Sequence, residues 1–462
     1  MFKISGSFRD PCGYVYNDAG RIIRTVNSTY REHWEWAVNS GLFTSLTERH
    51  LLPKFDEIAP QAGAWKTLEV EKIPWISYPY EWSFYQLRDA ASLTLELQTE
   101  ALKHSLSLKD ASAYNVQFIG SQPIFIDLLS FEKRTPNAPW AGYRQFCMQF
   151  LAPLAMASYE PRLGRMPAGW IGGIPLNLAW KLLPWKSFFC AGLQMHIHMH
   201  GWAEQKYGDT RKAAPKVRQV KINDKALLEL VGSLRRTVDS LRGPSIPGDW
   251  TDYYSNTNYS DKASAAKLQI VELAVKQTGG GLLGHDLGAN TGRFSAVMAP
   301  YFEQVVASDI DAPAVGRHYL WLQQSGNTAI SKKILPLVLD LSNPSPGIGW
   351  ANSERMPWAA RGEADFVCAL ALTHHLYFTE GIPWERQASF FAALLRTGGS
   401  LLLEFIPHED SQVQRMLAAR DELFADYELG GLCTSFGAYF QKVQSWSLPD
   451  SCRKLILFRK VN

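Results

Sequence analysis

The chain has 462 residues, of which 46% are hydrophobic and 20% are charged, a composition typical of globular domains and unlike that of disordered or fibrous chains. Its 47 basic and 44 acidic residues leave a net charge of +3, so the overall charge indicates neither a nucleic-acid partner nor an anionic membrane. A single hydrophobic core rarely extends over this length, so two domains are expected.

The cysteines and the apolar stretches predict where the protein is found. The six cysteines lie far apart without a Cys-x-x-Cys pair, and the chain opens on Met-Phe-Lys-Ile-Ser, unlike a signal peptide. The most apolar stretches are residues 146–158 and 170–193, and prolines and lysines interrupt the second. A spanning helix needs about 20 consecutive apolar residues. We therefore expect reduced thiols, a cytoplasmic location and no membrane span.

Three polar residues stand out in the N-terminal half. Asp110 is followed by Asn115 five positions later, and Asp127 closes the apolar stretch Pro123-Ile-Phe-Ile-Asp. This spacing resembles the catalytic and metal-binding loops of kinase-like phosphotransferases, in which the first Asp orients the hydroxyl and the other two residues hold Mg²⁺. The resemblance implies an α+β, kinase-like N-terminal domain.

This domain departs from the kinase pattern in several respects. Leu108 stands where those proteins have a histidine, and neither a glycine-rich nucleotide loop near Gly13 nor a phosphate-binding lysine is recognisable. The alternative to an active phosphotransferase is therefore a domain that has kept the kinase-like fold and lost the activity.

Alternating histidines follow in Met195-His-Ile-His-Met-His200. Imidazole and thioether groups bind soft metals. Since no cysteine or acidic cluster accompanies them, structural or incidental histidines are the favoured interpretation, and no metal is predicted.

A cluster of helix breakers, Arg242-Gly-Pro-Ser-Ile-Pro-Gly248, follows a helical stretch that begins near Lys225. It places the domain boundary near residue 243, so the predicted domains are 1–242 and 243–462.

Helix and strand patterns alternate after this boundary. The predicted helices are 260–277 and 293–298, and the predicted strands are 281–286, 305–309, 336–340, 364–370 and 400–405. Strands separated by helices indicate right-handed crossovers and a parallel α/β sheet.

A glycine-rich turn, Asp286-Leu-Gly-Ala-Asn-Thr-Gly292, links the first of these strands to a helix. Gly288 and Gly292 allow a ligand to approach the backbone closely. Asp309 ends the second strand, where a carboxylate can accept hydrogen bonds from ribose hydroxyls, and Asp311 is the competing acid. Asp340 ends the third strand, in position to accept from an adenine amino group.

These features, with Ala369-Leu-Ala-Leu-Thr-His-His-Leu376 after the fourth strand, resemble class I S-adenosylmethionine methyltransferases. The resemblance implies a Rossmann-like, seven-stranded sheet and S-adenosyl-L-methionine as cofactor. The residues that match the cofactor site are Asp286, Gly288, Asn290, Gly292, Asp309 and Asp340. An NAD-binding domain is disfavoured because Asp286 replaces the first glycine of its G-x-G-x-x-G turn.

His374 and His375 are the candidate general bases, because imidazole titrates near neutral pH and both follow the fourth strand. The alternative is that one caps the strand end and the other packs in the core. Tyr253 or Tyr259 would cover the cofactor, or pack against the sheet.

Segments of both halves are also similar to the bacterial methyltransferase family that includes rhizobial host-specific nodulation proteins. The leading hypothesis is in-line methylation of a small molecule or glycan-type acceptor. The absence of an Asn-Pro-Pro-Tyr motif after the fourth strand argues against nucleic acid. The alternatives are a bifunctional protein that also binds ATP, and a regulatory protein that binds S-adenosylmethionine without catalysis.

Overall fold

A computed structural model describes residues 1–61, 63–207, 221–243, 260–326, 328–418 and 427–461. The chain forms two compact units. The first comprises Met1–Ser245 and Gly347–Arg355, and the second comprises Ile246–Pro346 and Met356–Asn462. Residues 347–355 thus interrupt the second unit, a feature that the predicted contiguous domains do not contain.

An antiparallel sheet of five strands, ordered β1-β2-β3-β5-β4, begins the first unit. Its strands are β1 (Phe2–Lys3), β2 (Val15–Asp18), β3 (Arg21–Val26), β4 (Phe55–Ile58) and β5 (Lys66–Val70). Two further antiparallel pairs, β6 with β9 and β7 with β8, use β6 (Leu106–Leu108), β7 (Val116–Ile119), β8 (Gln122–Phe125) and β9 (Phe131–Lys133).

The first unit has nine α-helices among its described residues. They are α1 (Arg31–Asn39), α2 (Leu42–Glu48), α3 (Phe84–Lys103), α4 (Tyr143–Phe146), α5 (Ala152–Tyr159), α6 (Leu176–Leu182), α7 (Ala191–Leu193), α8 (Met199–Tyr207) and α9 (Asp224–Ser240). The longest, α3, packs against α5 and α9. Helix α3 begins at a capping box, in which Ser83 and Gln86 each accept a hydrogen bond from the other's backbone N–H.

The second unit is built on a sheet of seven strands in the order β12-β11-β10-β13-β14-β16-β15. Its strands are β10 (Gly281–Leu287), β11 (Phe302–Asp309), β12 (Ile334–Val338), β13 (Ala364–Ala369), β14 (Leu395–Phe405), β15 (Phe440–Ser447) and β16 (Lys454–Lys460). The central strands are continuous buried runs, as expected of a sheet covered on both faces.

The α/β prediction is confirmed, but the sheet is mixed and not purely parallel. Strands β10 to β14 pair in parallel, whereas β16 pairs antiparallel with both β14 and β15. The connection between β15 and β16 is short, so it permits a hairpin but not a parallel crossover. Because β16 lies between β14 and β15, which run in the same direction, it is antiparallel to both.

Helices flank this sheet. They are α10 (Asp261–Thr278), α11 (Arg293–Met298), α12 (Ala312–Gln324), α13 (Thr328–Ser331), α14 (Thr373–Phe378), α15 (Trp384–Leu394), α16 (Ser411–Leu417) and α17 (Leu429–Phe436). The core under α10 joins its residues Val271 and Val275 to Phe302 of β11 and Phe366 of β13. Among the described residues, no helix is long and apolar enough to cross a bilayer.

A buried ion pair joins α10 to the sheet. Lys267 Nζ lies 2.7 Å from Glu404 Oε2, with side-chain exposures of 5% and 0%. The same Glu404 oxygen accepts the N–H of Ala371, 2.8 Å away. Because both charges are removed from water, each depends on the other for compensation.

We predict that Lys267→Met destabilises the protein by about 3 to 5 kcal/mol, because Glu404 is left buried without its counter-charge. Urea denaturation of the full chain measures the change. The matched control is Lys276→Met, which removes an exposed lysine paired with Glu272 on the same helix and should leave the midpoint unchanged. Equal effects of the two substitutions would contradict this account.

Candidate functional site

A cavity of about 260 Å³ lies at the carboxyl ends of β10, β11, β12 and β13. The chain runs from β10 outward to β12 and then resumes on the other side of β10 with β13, so the strand order reverses here. Open α/β sheets bind ligands in the crevice at such a reversal. The cavity is lined by Ser264, Lys267, Gly288, Asn290, Arg293, Phe294, Asp309, Ile310, Leu339, Asp340, Leu341, Ser342, Leu370, Ala371, Leu372, His375, Leu376, Thr379 and Glu380.

The glycine-rich turn forms one wall of the cavity. Gly288 has a φ of +75° and Asn290 a φ of +50°, both in the left-handed region. Gly292, with a φ of +83°, lies behind the wall, where an added Cβ would be 2.0 Å from the ring of His318. Residue 292 therefore has to be glycine, because its backbone is left-handed and because a side chain there would collide with His318. Gly292 affects the site by setting the shape of the turn.

Asp309 lies at the carboxyl end of β11 and lines the cavity. Its carboxylate accepts the N–H of Asn290 at 2.8 Å and the N–H of Asp311 at 2.9 Å. Burial raises the pKa of Asp309 to about 6 despite these bonds. The competing acid, Asp311, is not among the lining residues and caps α12 by accepting from the N–H of Ala314.

Asp286 lies inside the fold, behind the cavity wall. Its carboxylate accepts a hydrogen bond of 2.6 Å from the hydroxyl of Ser295, and the side chain is buried. Burial raises the pKa of Asp286 to about 6, and the negative charge of Asp309 adds to the effect. Two buried carboxylates thus share one small region of the site.

Asp340 lines the cavity two residues beyond the end of β12, whereas the sequence pattern placed it at the last position of the strand. One of its carboxylate oxygens accepts from the backbone N–H and the hydroxyl of Ser342, at 2.9 and 2.6 Å. Four of the six predicted cofactor residues therefore line the cavity, and Asp286 and Gly292 support it from behind.

The two candidate bases differ in position. His375 lines the cavity, and burial lowers its pKa to about 4. His374 is 3% exposed, does not line the cavity, and has a pKa held well below its usual value by burial. Burial thus keeps both imidazoles neutral at pH 7 and shifts them away from the near-neutral titration expected of a general base. Only His375 borders the cavity.

Sequence reasoning missed the residues that helices contribute to the cavity. Lys267 from α10 and Phe294 from α11 both line it, and the Lys267 ammonium lies 5.2 Å from the centre of the Phe294 ring. The sequence signal that could have identified Lys267 is its position in the otherwise apolar stripe of α10, which includes Ala263, Ile270 and Val271.

Ala371 was missed as well, although it lies between β13 and the Thr-His-His motif at the start of α14. Its φ of +50° is rare for a residue with a side chain. The bond from its N–H to Glu404 holds this conformation, so the buried ion pair also shapes the cavity wall.

The three polar residues that suggested nucleotide chemistry lie close together in the first unit. The carboxylate of Asp127 pairs with Arg24 of β3 and accepts from the hydroxyl of Ser130, which also accepts from the amide of Asn115 at 3.4 Å. The pKa of Asp110 is raised, by burial first and then by the charge of Asp127. A metal ion at Asp127 would compete with Arg24, and the kinase-like domain stays a prediction.

The alternating histidines fall in a π-helical turn, Gln194–His198, and in the start of α8. Tyr143 Oη lies 2.9 Å from His196 Nδ1 and 3.1 Å from His200 Nε2. His198 is bonded to Ser187. Among the described residues, no group of three or more His, Cys, Asp or Glu is arranged to hold a metal. Tyr253 and Tyr259, the predicted cofactor cover, lie outside the described residues.

The chain resembles a known protein over nearly its whole length. It is 32% identical to the nodulation protein NoeA of Rhizobium meliloti (strain 1021) over 472 aligned residues, which cover 99% of this chain and 96% of that protein. No family model matches the chain.

Two solved structures resemble about half of the chain. One is the N-methyltransferase NodS of Bradyrhizobium japonicum WM9, 13% identical, with a TM-score of 0.32, covering 44% of this chain and 99% of that one. The other is the magnesium protoporphyrin IX methyltransferase ChlM of Synechocystis PCC 6803 with bound S-adenosylhomocysteine, 18% identical, with a TM-score of 0.33, covering 46% and 92%. Such scores are too low to establish a common fold, so the α/β assignment rests on the strand order above.

We predict that the contribution of Asp286 to the stability of the ligand-free protein falls as the pH rises from about 4 to about 6. An unfolded Asp286 ionises near pH 3.8, whereas the folded carboxyl holds its proton up to about pH 6. Above pH 6 the charged carboxylate is buried at a cost. Asp286→Asn should therefore stabilise the protein at pH 7.5 by about 1 to 3 kcal/mol and make no difference near pH 4.

Thermal unfolding across this pH range measures the effect, and Asp365→Asn is the control with the opposite sign. The pKa of Asp365 is lowered by hydrogen bonds from Leu282, Leu283 and Arg396 that outweigh its partial burial. Its contribution is present at pH 7.5 and is lost as the pH falls below its ordinary pKa. A destabilised Asp286→Asn protein at pH 7.5 would show that the Asp286 carboxylate is well compensated when charged.

Proposed function

The chain belongs to the family of the nodulation protein NoeA, and we propose that it is an S-adenosylmethionine-dependent methyltransferase. The observation that carries this proposal is the acidic, glycine-walled cavity at the strand-order reversal of the second unit. In this proposal the sheet is the Rossmann-like, seven-stranded sheet of class I enzymes.

The residues on the wall fit the chemical groups of the cofactor. Asp309 would accept hydrogen bonds from the two ribose hydroxyls, and Asp340 from the adenine amino group. Ile310, whose side chain is 56% exposed, and Leu339 offer apolar surface for the base. Gly288 presents no side chain that would obstruct the ligand.

Charge supports the same assignment. S-adenosylmethionine carries a sulfonium, an ammonium and a carboxylate. The buried Asp286 and Asp309 provide negative potential on one side of the cavity, which favours the sulfonium and the ammonium. A cationic ligand would therefore relieve the cost that the two carboxylates impose on the empty site.

The cofactor supplies an electrophilic methyl group, and the chain has to hold the acceptor in line with it. Positioning of this kind can contribute about 7 to 11 kcal/mol to lowering the barrier. His375, neutral at pH 7 and on the cavity wall, would accept the proton that a hydroxyl or amine acceptor loses. We assign His374 a packing role, because it is buried away from the cavity.

The proposed acceptor is a small molecule or glycan-type compound, which suits a chain without strong net charge. Incubation of the protein with cell extract and isotopically labelled S-adenosylmethionine, followed by mass spectrometry, would identify the labelled product. Binding of the cofactor without any labelled product would favour the regulatory alternative. Binding of ATP with Mg²⁺ in a separate titration would favour the bifunctional one.

We predict that Asp309→Asn weakens binding of S-adenosylmethionine by about 10- to 100-fold, the loss of one charge-assisted hydrogen bond. Isothermal titration calorimetry measures the affinity. The matched control is Asp311→Asn, because asparagine preserves the cap of α12 and Asp311 does not line the cavity. Equal affinity in wild type and Asp309→Asn would refute the ribose assignment.

We also predict that His375→Gln lowers the rate of methyl transfer by about 10²- to 10⁴-fold, the range for loss of a general base. The dissociation constant of the cofactor should change little. His374→Gln is the companion variant, and its expected effect is on the unfolding temperature with the rate retained. Unchanged turnover in His375→Gln would remove the base assignment.

A further inference from the structure

The charge of the first unit is unevenly distributed. Between Glu160 and Glu204 the sequence has no acidic residue, but it has four basic ones: Arg162, Arg165, Lys181 and Lys186. Residues 161–203 therefore carry +4, while the whole chain carries +3, which leaves −1 for all other residues. The near-neutral overall charge conceals this basic stretch.

The same stretch exposes large apolar side chains, which we call the aromatic patch: Leu182, Trp185, Phe188 and Phe189. Their exposed fractions are 46%, 68%, 43% and 81%. The rings of Trp185 and Phe189 contact each other, with centroids 5.8 Å apart. Apolar residues that are exposed singly are normal on protein surfaces, whereas a cluster of exposed rings marks an interaction surface.

The fold holds these side chains outward. Ser187, in the middle of the patch, is fully buried and bonds the carbonyl of Pro184 at 2.7 Å and His198 Nε2 at 2.9 Å. The ring of Phe188 stacks on His198 with centroids 3.9 Å apart. This internal anchor fixes a short helical turn, Trp185–Phe189, whose outer residues face solvent.

A second row of apolar residues follows on the next helical segment. Met195, Met199 and Trp202 are 51%, 62% and 49% exposed. Their spacing of four and three residues places them along one side of the helix. His198, which carries the stacked Phe188, belongs to the same segment and connects this row to the aromatic patch.

Two exposed lysines flank the aromatic patch. Lys181 precedes Leu182 and Lys186 follows Trp185, and neither forms an ion pair within the described part of the chain. A second copy of the chain, bound through its own aromatic patch, would place like charges opposite each other. An anionic bilayer accepts aromatic side chains at its interface and attracts the lysines, and it requires no acidic residue from the protein.

We propose that the aromatic patch binds the surface of membranes that contain anionic phospholipids, with Trp185 and Phe189 inserted at the headgroup level and Lys181 and Lys186 on lipid phosphates. This contact is peripheral, so it agrees with the finding that no described helix spans a bilayer. It does not depend on methyl transfer, since the patch lies entirely within the first unit.

The test is co-sedimentation of the full chain with vesicles of phosphatidylcholine alone or mixed with phosphatidylglycerol. We expect binding to the anionic vesicles, weakened by salt, and a reduction of about tenfold or more in Trp185→Ala/Phe189→Ala and in Lys181→Glu/Lys186→Glu. The controls are Trp321→Ala, an exposed tryptophan of the second unit, and Lys225→Glu/Lys442→Glu, which makes the same change in net charge at exposed sites elsewhere.

The proposal is overturned if the patch variants and the controls bind equally, or if neutral vesicles bind as tightly as anionic ones. It is also overturned if sedimentation velocity shows a dimer that Trp185→Ala/Phe189→Ala abolishes, because a second copy would then occupy the patch. Lys181 and Lys186 are exposed, and an unfolding temperature of the lysine variant equal to that of the wild type excludes a folding defect as the cause of weaker binding. Retained affinity for S-adenosylmethionine in the patch variants separates this proposal from the proposed function.

Discussion

The second unit depends on the burial of two carboxylates at the carboxyl ends of adjacent strands. Asp286 and Asp309 each bind fixed donors, and both still ionise only near pH 6 because the surrounding sheet excludes water. A fold selected for stability alone would place apolar side chains there. Buried carboxylates with raised pKa values occur most often at functional sites.

A second pair of buried charges in the same unit differs from the first because its two charges are opposite in sign. Lys267 and Glu404 neutralise each other across α10 and β14, and Glu404 also holds Ala371 in a left-handed conformation on the cavity wall. One interaction thereby connects a helix, a strand and a loop around the cavity. Its importance is for the shape of the site, since a buried ion pair by itself adds little net stability.

The first unit is organised around contacts of another kind. Its aromatic patch faces solvent because Ser187 and His198 form an internal anchor beneath it, while the neighbouring sequence lacks acidic residues. If both proposals hold, the protein combines a cofactor cavity in one unit with a lipid-facing surface in the other. A membrane-associated acceptor would then be the chemistry to examine first.

The sequence by itself determined the alternation of strands and helices after residue 260, the glycine turn, and the acids Asp309 and Asp340, because each depends on local periodicity and on which residues end or directly follow an apolar stretch. Only the tertiary structure decided that Asp311 caps a helix while Asp309 lines the cavity, and that His375 borders the cavity while His374 does not. It also brought in Lys267 from a helix before the glycine turn, and residues 347–355 into the first unit. These outcomes depend on the direction in which a side chain points and on which segments, distant in sequence, come into contact. Packing between elements determines both, and local sequence patterns do not.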